Sequence, residues 1–232
     1  MPDEPIAAGL HDATQRLVRE VDGLTPEAWS GPSLLPGWTR AHVVAHLTLN
    51  AEALAGALAG VVQAEPTPMY ASQGARDADI EELAGQDPTE LRDRLLASTT
   101  LFADALAAVP EDLWTTRIER TRGSERTFTA HAVPGMRWRE VEIHAADLAA
   151  SYTHADWPTE FAVHLVRAMT KRPDGVPGLV ARATDVDQTW KFGDGGPVVS
   201  GTAADLGWWL TGRGAGEGLT SDSGELPRMG AW

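Results

Sequence analysis

The sequence contains no cysteine, and this absence removes several kinds of chemistry at once. Disulfide bonds, thiolate metal ligands and a cysteine nucleophile are all excluded. Basic residues are also scarce, since 19 lysines and arginines stand against 33 aspartates and glutamates, for a net charge of -14. Nucleic acids and anionic membrane surfaces require a basic face, so this charge argues against both as partners.

Long non-polar runs are missing as well. The longest are short and rich in alanine, well below the length that spans a membrane. The N-terminus is acidic and lacks the basic and apolar regions of a signal peptide, so we predict a cytoplasmic protein. With 43% hydrophobic residues, a chain of 232 residues can form one large globular domain or two small ones.

Four stretches have the hydrophobic spacing of amphipathic helices. Their predicted ranges are 4–24, 39–63, 88–109 and 133–151. Thr39 is the predicted N-cap of the second helix. Between these helices lie a polar connection at 64–87, with room for a short helix, and a charged stretch of low periodicity at 111–132. Four long helices of this kind are most simply arranged as a four-helix bundle.

The composition changes near residue 155, where we place a domain boundary. A predicted helix at 159–171 is followed by three predicted short strands, at 179–184, 188–192 and 197–201. The connection 193–196 predicts a hairpin between the second and third strands, and Thr202 is the predicted cap of a last helix. The predicted fold class is α+β: a four-helix bundle domain at 1–154, followed by a small α/β C-terminal domain at 155–232.

The stretch 138–148, WREVEIHAADL, holds a carboxylate and an imidazole four residues apart. Four residues of an α-helix advance by about 400°, so Glu140 and His144 leave the same face. Val141, Ala145 and Leu148 fall on that side too, which predicts that both polar groups point inward. A buried glutamate is costly unless it is paired or bound to a cation. The pair therefore predicts half of a metal site.

His46 is the best candidate for the third ligand among the seven histidines. It lies beside the non-polar stripe of the second helix, with His42 and Asn50 as neighbours. His46, Glu140 and His144 would form a His2Glu set, which leaves an open coordination position of the catalytic type. The alternative is that His46 is a hydrogen-bonded packing residue and the Glu-x3-His spacing is accidental.

Three segments then resemble a known family. Residues 35–47, LPGWTRAHVVAHL, look like the signature of mycothiol-dependent maleylpyruvate isomerases, and residues 139–148 resemble the second motif of that family. Residues 199–206 and 210–214, VSGTAADL and LTGRG, resemble its C-terminal domain, a small α/β unit similar to sterol carrier proteins. The resemblance implies a DinB-type metal-binding four-helix bundle. It also maps His46, Glu140 and His144 as the metal ligands.

The activity that the resemblance implies is the cis–trans isomerisation of maleylpyruvate to fumarylpyruvate, in the degradation of gentisate. Mycothiol, a low-molecular-weight thiol, would be the cofactor, and a divalent metal, with Zn2+ preferred over nickel, cobalt or iron, would stabilise its thiolate. The thiolate would add to the double bond, allow rotation and leave again. The absence of cysteine is compatible with this mechanism, because the nucleophile arrives with the cofactor.

Further site residues are predicted around these ligands. Arg213 resembles a catalytic arginine of the family and would bind a substrate carboxylate, or else be solvated at a helix end without a catalytic role. Asn50 would contact the thiol cofactor, or else bond to a neighbouring helix. Asp147 would orient a ligand imidazole, or else be solvated at the helix end. Arg137 and Arg139 are weaker candidates, with solvent-facing positions as the alternative.

Two other functions are compatible with the sequence. A mycothiol S-transferase would use the same site on another electrophile and would retain the thiol in its product. A non-catalytic metal-binding module would share the two domains without the reaction. The predicted partners are a small electrophile and mycothiol; no nucleic acid, membrane or protein partner is implied.

Overall fold

The computed structural model describes residues 4–172 and 175–230, so the first three residues of the acidic N-terminus lie outside the described residues. The chain divides into two compact units, one ending at Tyr152 and the other beginning at Thr153. This division falls two residues before the predicted boundary. Each unit is described by itself below.

The first unit is a helical bundle, as predicted. Its helices are α1 (Glu4–Asp22), α2 (Arg40–Gln63), α3 (Gln73–Ala84), α4 (Pro88–Ala107) and α5 (Val133–Asp147). The long helices pack in pairs, with α2 against α4 and α1 against α5, and α2 also contacts α5 and α3. The short helix α3 lies in the polar connection for which only a possible helix was predicted.

The central helix of this bundle is α2. Thr39 caps it as predicted, because its side chain accepts a hydrogen bond from the His42 backbone N–H. By length and composition α2 is apolar enough to cross a membrane, and 72% of the apolar window is buried inside the protein. Val43, Leu47, Leu54 and Leu58 are fully enclosed. Burial on nearly all sides explains the apolar character of α2, since a bundle core requires it.

A small hairpin lies in the charged stretch 111–132, where no strand was predicted. Strand β1 (Arg117–Glu119) pairs antiparallel with β2 (Thr127–Thr129). The chain before α3 joins this hairpin, because the Met69 and Tyr70 backbone N–H groups donate to the carbonyls of Glu119 and Arg120. These bonds fix the position of Tyr70 ahead of α3.

The second unit combines helices with a four-stranded sheet, which confirms the predicted α+β class. Its elements are α6 (Thr159–Met169), β3 (Leu179–Ala183), β4 (Gln188–Phe192), β5 (Val198–Gly201), α7 (Ala203–Leu210) and β6 (Thr220–Ser221). Thr202 caps α7 as predicted, by accepting from the Asp205 backbone N–H. The strand order is β4-β3-β5-β6.

The predicted hairpin at 193–196 was wrong. Strand β5 pairs parallel with β3, and β4 lies on the other side of β3. The connection therefore crosses the chain just before β3, where Gly178 and Gly196 approach so closely that a Cβ on Gly196 would clash with the Gly178 carbonyl oxygen. The glycines serve this close backbone crossing, which in sequence resembles a tight turn.

Candidate metal centre

Three side chains from two helices converge inside the first unit. His46 of α2 and Glu140 and His144 of α5 each offer a ligand atom, and these atoms all lie within 4.8 Å of one another. Glu140 Oε2 lies 2.9 Å from His46 Nε2 and 3.4 Å from His144 Nε2. The two imidazole rings meet edge to face, with centroids 4.6 Å apart. The structure thus brings together the three residues that the sequence selected.

The approach of α2 to α5 follows from contacts made just outside the ligands. Arg40, in the first turn of α2, donates from Nε to the Leu148 carbonyl at 2.7 Å and from Nη2 to the Ala149 carbonyl at 2.9 Å. The Leu34 backbone N–H donates to the Asp147 carbonyl at 2.9 Å. These bonds satisfy carbonyls at the end of α5, which a helix cannot satisfy by itself. They also hold the segment 35–47 beside the helix that carries the other two ligands.

A second connection lies two to three turns further along α2. Arg137 of α5 is 2% exposed, and its Nη1 donates to the Leu47 carbonyl and to Asn50 Oδ1, both at 2.8 Å. The solvent-facing alternative for Arg137 was therefore wrong. Burial lowers its pKa to about 10, which leaves the guanidinium charged at neutral pH.

The charge states of two ligands suit a cation. Burial lowers the pKa of His46 to about 4, so its imidazole is neutral at pH 7, the charge state in which a histidine binds a metal. Burial alone would raise the pKa of Glu140, but hydrogen bonds with His144 and His46 outweigh it and hold that pKa well below the usual range. Glu140 is thus an anion at neutral pH.

His144 is oriented by a second carboxylate. Asp147 is fully buried, and its Oδ2 lies 2.8 Å from His144 Nδ1. Burial lowers the pKa of His144, but the hydrogen bonds to Asp147 and Glu140 outweigh it and raise that pKa. An acceptor at Nδ1 places an N–H on that side and turns Nε2 toward Glu140 and His46. Two roles were considered for Asp147. The structure shows the contact that orients His144, and Asp147 is not solvated at the helix end.

The environment of His46 differs from that of His144. Arg76 of α3 approaches His46 Nδ1 with its Nη2 at 3.1 Å, so a donor stands where His144 has an acceptor. The ring of Trp38 packs against His46 at a centroid distance of 5.7 Å. His42, the other histidine of this segment, bonds instead to Thr39 and to Glu81.

These features fit a divalent metal ion. Two imidazole nitrogens and one carboxylate oxygen face a common point, which is a donor set typical of catalytic zinc and related ions. Glu140 is largely withdrawn from water, at 19% exposure, and a buried carboxylate between two imidazoles needs a cationic partner. His46, Glu140 and His144 are therefore the residues that could hold a metal.

Two other predicted site residues are placed as follows. Asn50 is 1% exposed and its side chain bonds to Arg137 and to Tyr70, so it makes the interhelical bond that was considered as its alternative role. Arg213 lies in the second unit, just after α7. Its guanidinium stacks over the Trp208 ring at 5.6 Å. A contact of Asn50 with the thiol cofactor and a catalytic role of Arg213 remain predictions.

Sequence reasoning missed two residues at this centre. Arg76 and Tyr70 come from the polar connection 64–87, and their side chains stack with the Arg76 guanidinium 5.8 Å from the Tyr70 ring centre. The connection has no hydrophobic periodicity strong enough to show which of its residues turn inward. Their positions depend on the pairing of residues 69–70 with the hairpin, which no local pattern predicts.

Comparisons with known proteins agree with this architecture. A family model described as the mycothiol maleylpyruvate isomerase N-terminal domain matches residues 10–149. The crystal structure of a mycothiol-dependent maleylpyruvate isomerase superposes with a TM-score of 0.90 and 31% sequence identity. The alignment covers 100% of this chain and 98% of that one. A histidine-to-alanine mutant of that isomerase matches equally well.

Relatives of unknown function extend the comparison. Uncharacterised proteins from two strains of Mycobacterium tuberculosis are 25% identical over 227 residues, which is 90% of this chain and 85% of theirs. The family model covers more than half of the chain and includes all three converging side chains. By its sequence and its structure, the chain belongs to the mycothiol-dependent maleylpyruvate isomerase family.

Proposed function

We propose that this protein is a metal-dependent enzyme that uses mycothiol to isomerise maleylpyruvate to fumarylpyruvate. The observation that carries the proposal is the convergence of His46, Glu140 and His144 within 4.8 Å in a chain of this family. The likeness of the whole chain to a mycothiol-dependent maleylpyruvate isomerase supports it. In the same proposal the enzyme acts in the cytoplasm, in the degradation of aromatic rings by way of gentisate.

The proposed reaction needs a nucleophile that the chain itself lacks. When bound at this site, a divalent cation, most simply Zn2+, would supply a Lewis acid that lowers the pKa of the mycothiol thiol. The cis double bond of maleylpyruvate would accept the sulfur and become a single bond that rotates. The same carbon would then lose the sulfur, and the bond would be restored as trans. Atoms balance, because the thiol is returned unchanged.

The residues of the chain would prepare the site for this reaction. At neutral pH His46 is neutral and Glu140 is ionised, so neither group would need to release a net proton to bind a metal. Asp147 holds the His144 ring in the orientation that turns Nε2 toward the other ligands. The set of three ligands leaves room in the coordination sphere for an incoming group.

Arg213 is the proposed catalytic residue of the second unit. It would bind a carboxylate of the substrate and stabilise the negative charge that develops during addition. The Trp208 ring, 5.6 Å from its guanidinium carbon, supports the position of this side chain. Replacement by alanine should lower turnover while the metal content stays at the wild-type level. Full activity of Arg213→Ala would remove this residue from the mechanism.

The direct test is an assay with maleylpyruvate, with and without mycothiol, on protein of known metal content. We expect fumarylpyruvate to form only with mycothiol, and the total of free thiol to stay constant. His46→Ala should lose both the metal and the activity. His11→Ala, which alters an exposed histidine of α1, is the matched control and should retain both.

Each alternative has its own outcome in this assay. Loss of free thiol into a stable adduct, without fumarylpyruvate, would point to a mycothiol S-transferase. Absence of stoichiometric metal and of any reaction would favour a non-catalytic module. Fumarylpyruvate formation without mycothiol would contradict the thiol mechanism.

A further inference from the structure

The two histidines of the centre have opposite partners at Nδ1. Asp147, an acceptor, faces His144 Nδ1 at 2.8 Å, whereas Arg76, which can only donate, faces His46 Nδ1 at 3.1 Å. A neutral imidazole carries one N–H. With Arg76 donating to Nδ1, the N–H of His46 must be on Nε2, where it donates to Glu140 at 2.9 Å.

Metal ligation would reverse this arrangement at His46. The nitrogen that faces the other ligands is Nε2, and a ligand nitrogen must present its lone pair to the metal. The N–H would then be on Nδ1, where it would face the N–H of Arg76. Two donors cannot share a hydrogen bond, so Arg76 and a metal compete for His46. Ligation at Nε2 requires the guanidinium to leave Nδ1.

Besides His46, Arg76 contacts Tyr70, over whose ring its guanidinium lies, and Asp77, and both are weak contacts for an arginine near the surface. Nη1 donates to Asp77 Oδ1 at 2.8 Å, but Asp77 is 56% exposed, and exposed ion pairs contribute little. The Nε of Arg76 is buried and has no hydrogen-bond partner among the described residues. Arg76 is 16% exposed, whereas Arg137 is buried and bonded to α2. Among these two arginines beside the ligands, Arg76 is the one with the freedom to move.

A guanidinium released beside the ligands is suited to bind a carboxylate, in the two-pronged manner that its geometry favours. The surroundings are already cationic, because Arg76 acts on His46, and Arg137 and Arg139 act on Glu140, through their positive charge. A bound divalent cation would neutralise Glu140 and leave this excess of positive charge open to an anion. Maleylpyruvate, the proposed substrate, carries two carboxylates.

We propose that Arg76 is a substrate-binding residue for a carboxylate, made available when metal ligation turns His46 Nδ1 from an acceptor into a donor. The inference rests on the proposed function, whose metal and dicarboxylate substrate it uses. It predicts reciprocal coupling: the metal releases Arg76 for the carboxylate, and the carboxylate draws Arg76 away from His46 and so favours the metal.

The test measures Zn2+ affinity at neutral pH by competition with a chromogenic chelator, with and without maleate as the dicarboxylate probe. Arg76→Met keeps an unbranched side chain of similar reach and removes the charge and the donors. We expect this variant to bind Zn2+ about tenfold more tightly than the wild type, the change that corresponds to one hydrogen bond from a charged group. Arg76→Gln, which also removes the charge, should shift the affinity in the same direction.

Maleate should raise the Zn2+ affinity of the wild type and have a markedly smaller effect on Arg76→Met. Any bond from maleate to the metal itself is common to both proteins and cancels in this comparison. Arg92→Met is the matched control, since Arg92 pairs with exposed acids on the surface of α4. It should behave as the wild type in both measurements.

The outcomes separate this inference from the function on which it rests. Unchanged or weaker Zn2+ binding by both Arg76 variants would overturn the competition for His46. An equal effect of maleate on the wild type and on Arg76→Met would overturn the carboxylate-binding role. A wild-type protein that binds no Zn2+ would overturn the proposed metal site itself. The wild type could isomerise maleylpyruvate while Arg76→Met has the same KM for this substrate. That result would support the proposed function and contradict the role given to Arg76.

Discussion

Two glutamates of α5, only two positions apart, lie in different environments. Glu140 faces His46 and His144, whereas Glu142 is buried among Arg16, Tyr152 and Trp138. The Glu142 carboxylate accepts from Arg16 and from the Tyr152 hydroxyl, so it is satisfied without a metal. Glu142 therefore joins α1 and α5, and Glu140 is left for the centre.

Tyr152 supplies a test of the Glu142 cluster by pH. Burial and the hydrogen bond to Glu142 raise the pKa of Tyr152 above its ordinary value of 10.0. A raised pKa in the folded state means that the contribution of Tyr152 to stability is complete below about pH 10 and is lost at higher pH, where the unfolded tyrosine ionises. Chemical denaturation should show that Tyr152→Phe is less stable than the wild type at neutral pH by about 1–2 kcal/mol.

When the pH is raised from neutral to above about 10, Tyr152→Phe should lose less stability than the wild type. The reason is that the variant has no phenol at position 152 to ionise. Tyr70→Phe should reduce the alkaline loss as well, because burial also raises the pKa of Tyr70. Equal alkaline losses in the wild type and in Tyr152→Phe would contradict the role given to Tyr152.

Asp147 allows a test of ligand orientation. Asp147→Asn keeps the size of the buried side chain but removes its negative charge from His144 Nδ1. Zn2+ affinity should fall by about tenfold or more, as is usual when the carboxylate partner of a ligand imidazole is lost. Zn2+ affinity is measured by competition with a chelator, and Asp93→Asn, at an exposed aspartate of α4, is the control. Affinity equal to that of the wild type would show that packing alone orients His144.

At the scale of elements, the position of α2 relative to α5 depends on Arg40. Its guanidinium reaches the carbonyls of Leu148, Ala149 and Ala28, which lie at the end of α5 and before α2. The motif at 35–47 was recognised in the sequence, but its structural role could not be predicted from it. In the structure, Arg40 of this segment secures the end of the helix that carries Glu140 and His144.

Arg40→Met should therefore weaken both the fold and the metal site. Loss of several hydrogen bonds from one charged donor should lower the free energy of unfolding by roughly 3 kcal/mol. Zn2+ affinity should fall in parallel, because His46 is no longer held opposite α5. Arg94→Met, which breaks an exposed pair with Glu52, should change stability by less than about 1 kcal/mol. A stable Arg40→Met protein with normal metal binding would contradict this account.

At the scale of the whole molecule, all the residues described at the centre belong to the first unit, and Arg213 belongs to the second. Binding of the metal and turnover of the substrate should therefore be separable. We predict that a fragment ending at Tyr152 folds and binds one Zn2+ per chain but does not isomerise maleylpyruvate.

Thermal unfolding of the fragment with and without a chelator tests whether it folds and binds Zn2+. Zn2+ at about a thousandfold excess over its Kd should stabilise the fragment by roughly 4 kcal/mol. The same fragment with His46→Ala is the control and should not respond to the chelator. A fragment that fails to fold would show that the first unit depends on the second, and isomerase activity of the fragment would exclude Arg213 from catalysis.

The sequence by itself predicted the long helices, the α+β class and the three side chains that converge in the first unit. Helical periodicity is a local property, so the ranges of α2 and α5 and the shared face of Glu140 and His144 could be predicted from spacing. His46 was selected because it lies beside the non-polar stripe of a core helix. The resemblance of the motifs to a family then indicated the same three residues.

Only the tertiary structure decided which residues surround those ligands. Arg76 reaches His46 because the chain before α3 pairs with the hairpin of β1 and β2, and Arg40 reaches α5 across 108 residues of sequence. The parallel pairing of β5 with β3 likewise reversed a hairpin that the glycines at 193–196 had suggested. The physical reason is the same in each case: local patterns fix which face of an element is buried, but long-range pairing fixes which elements meet.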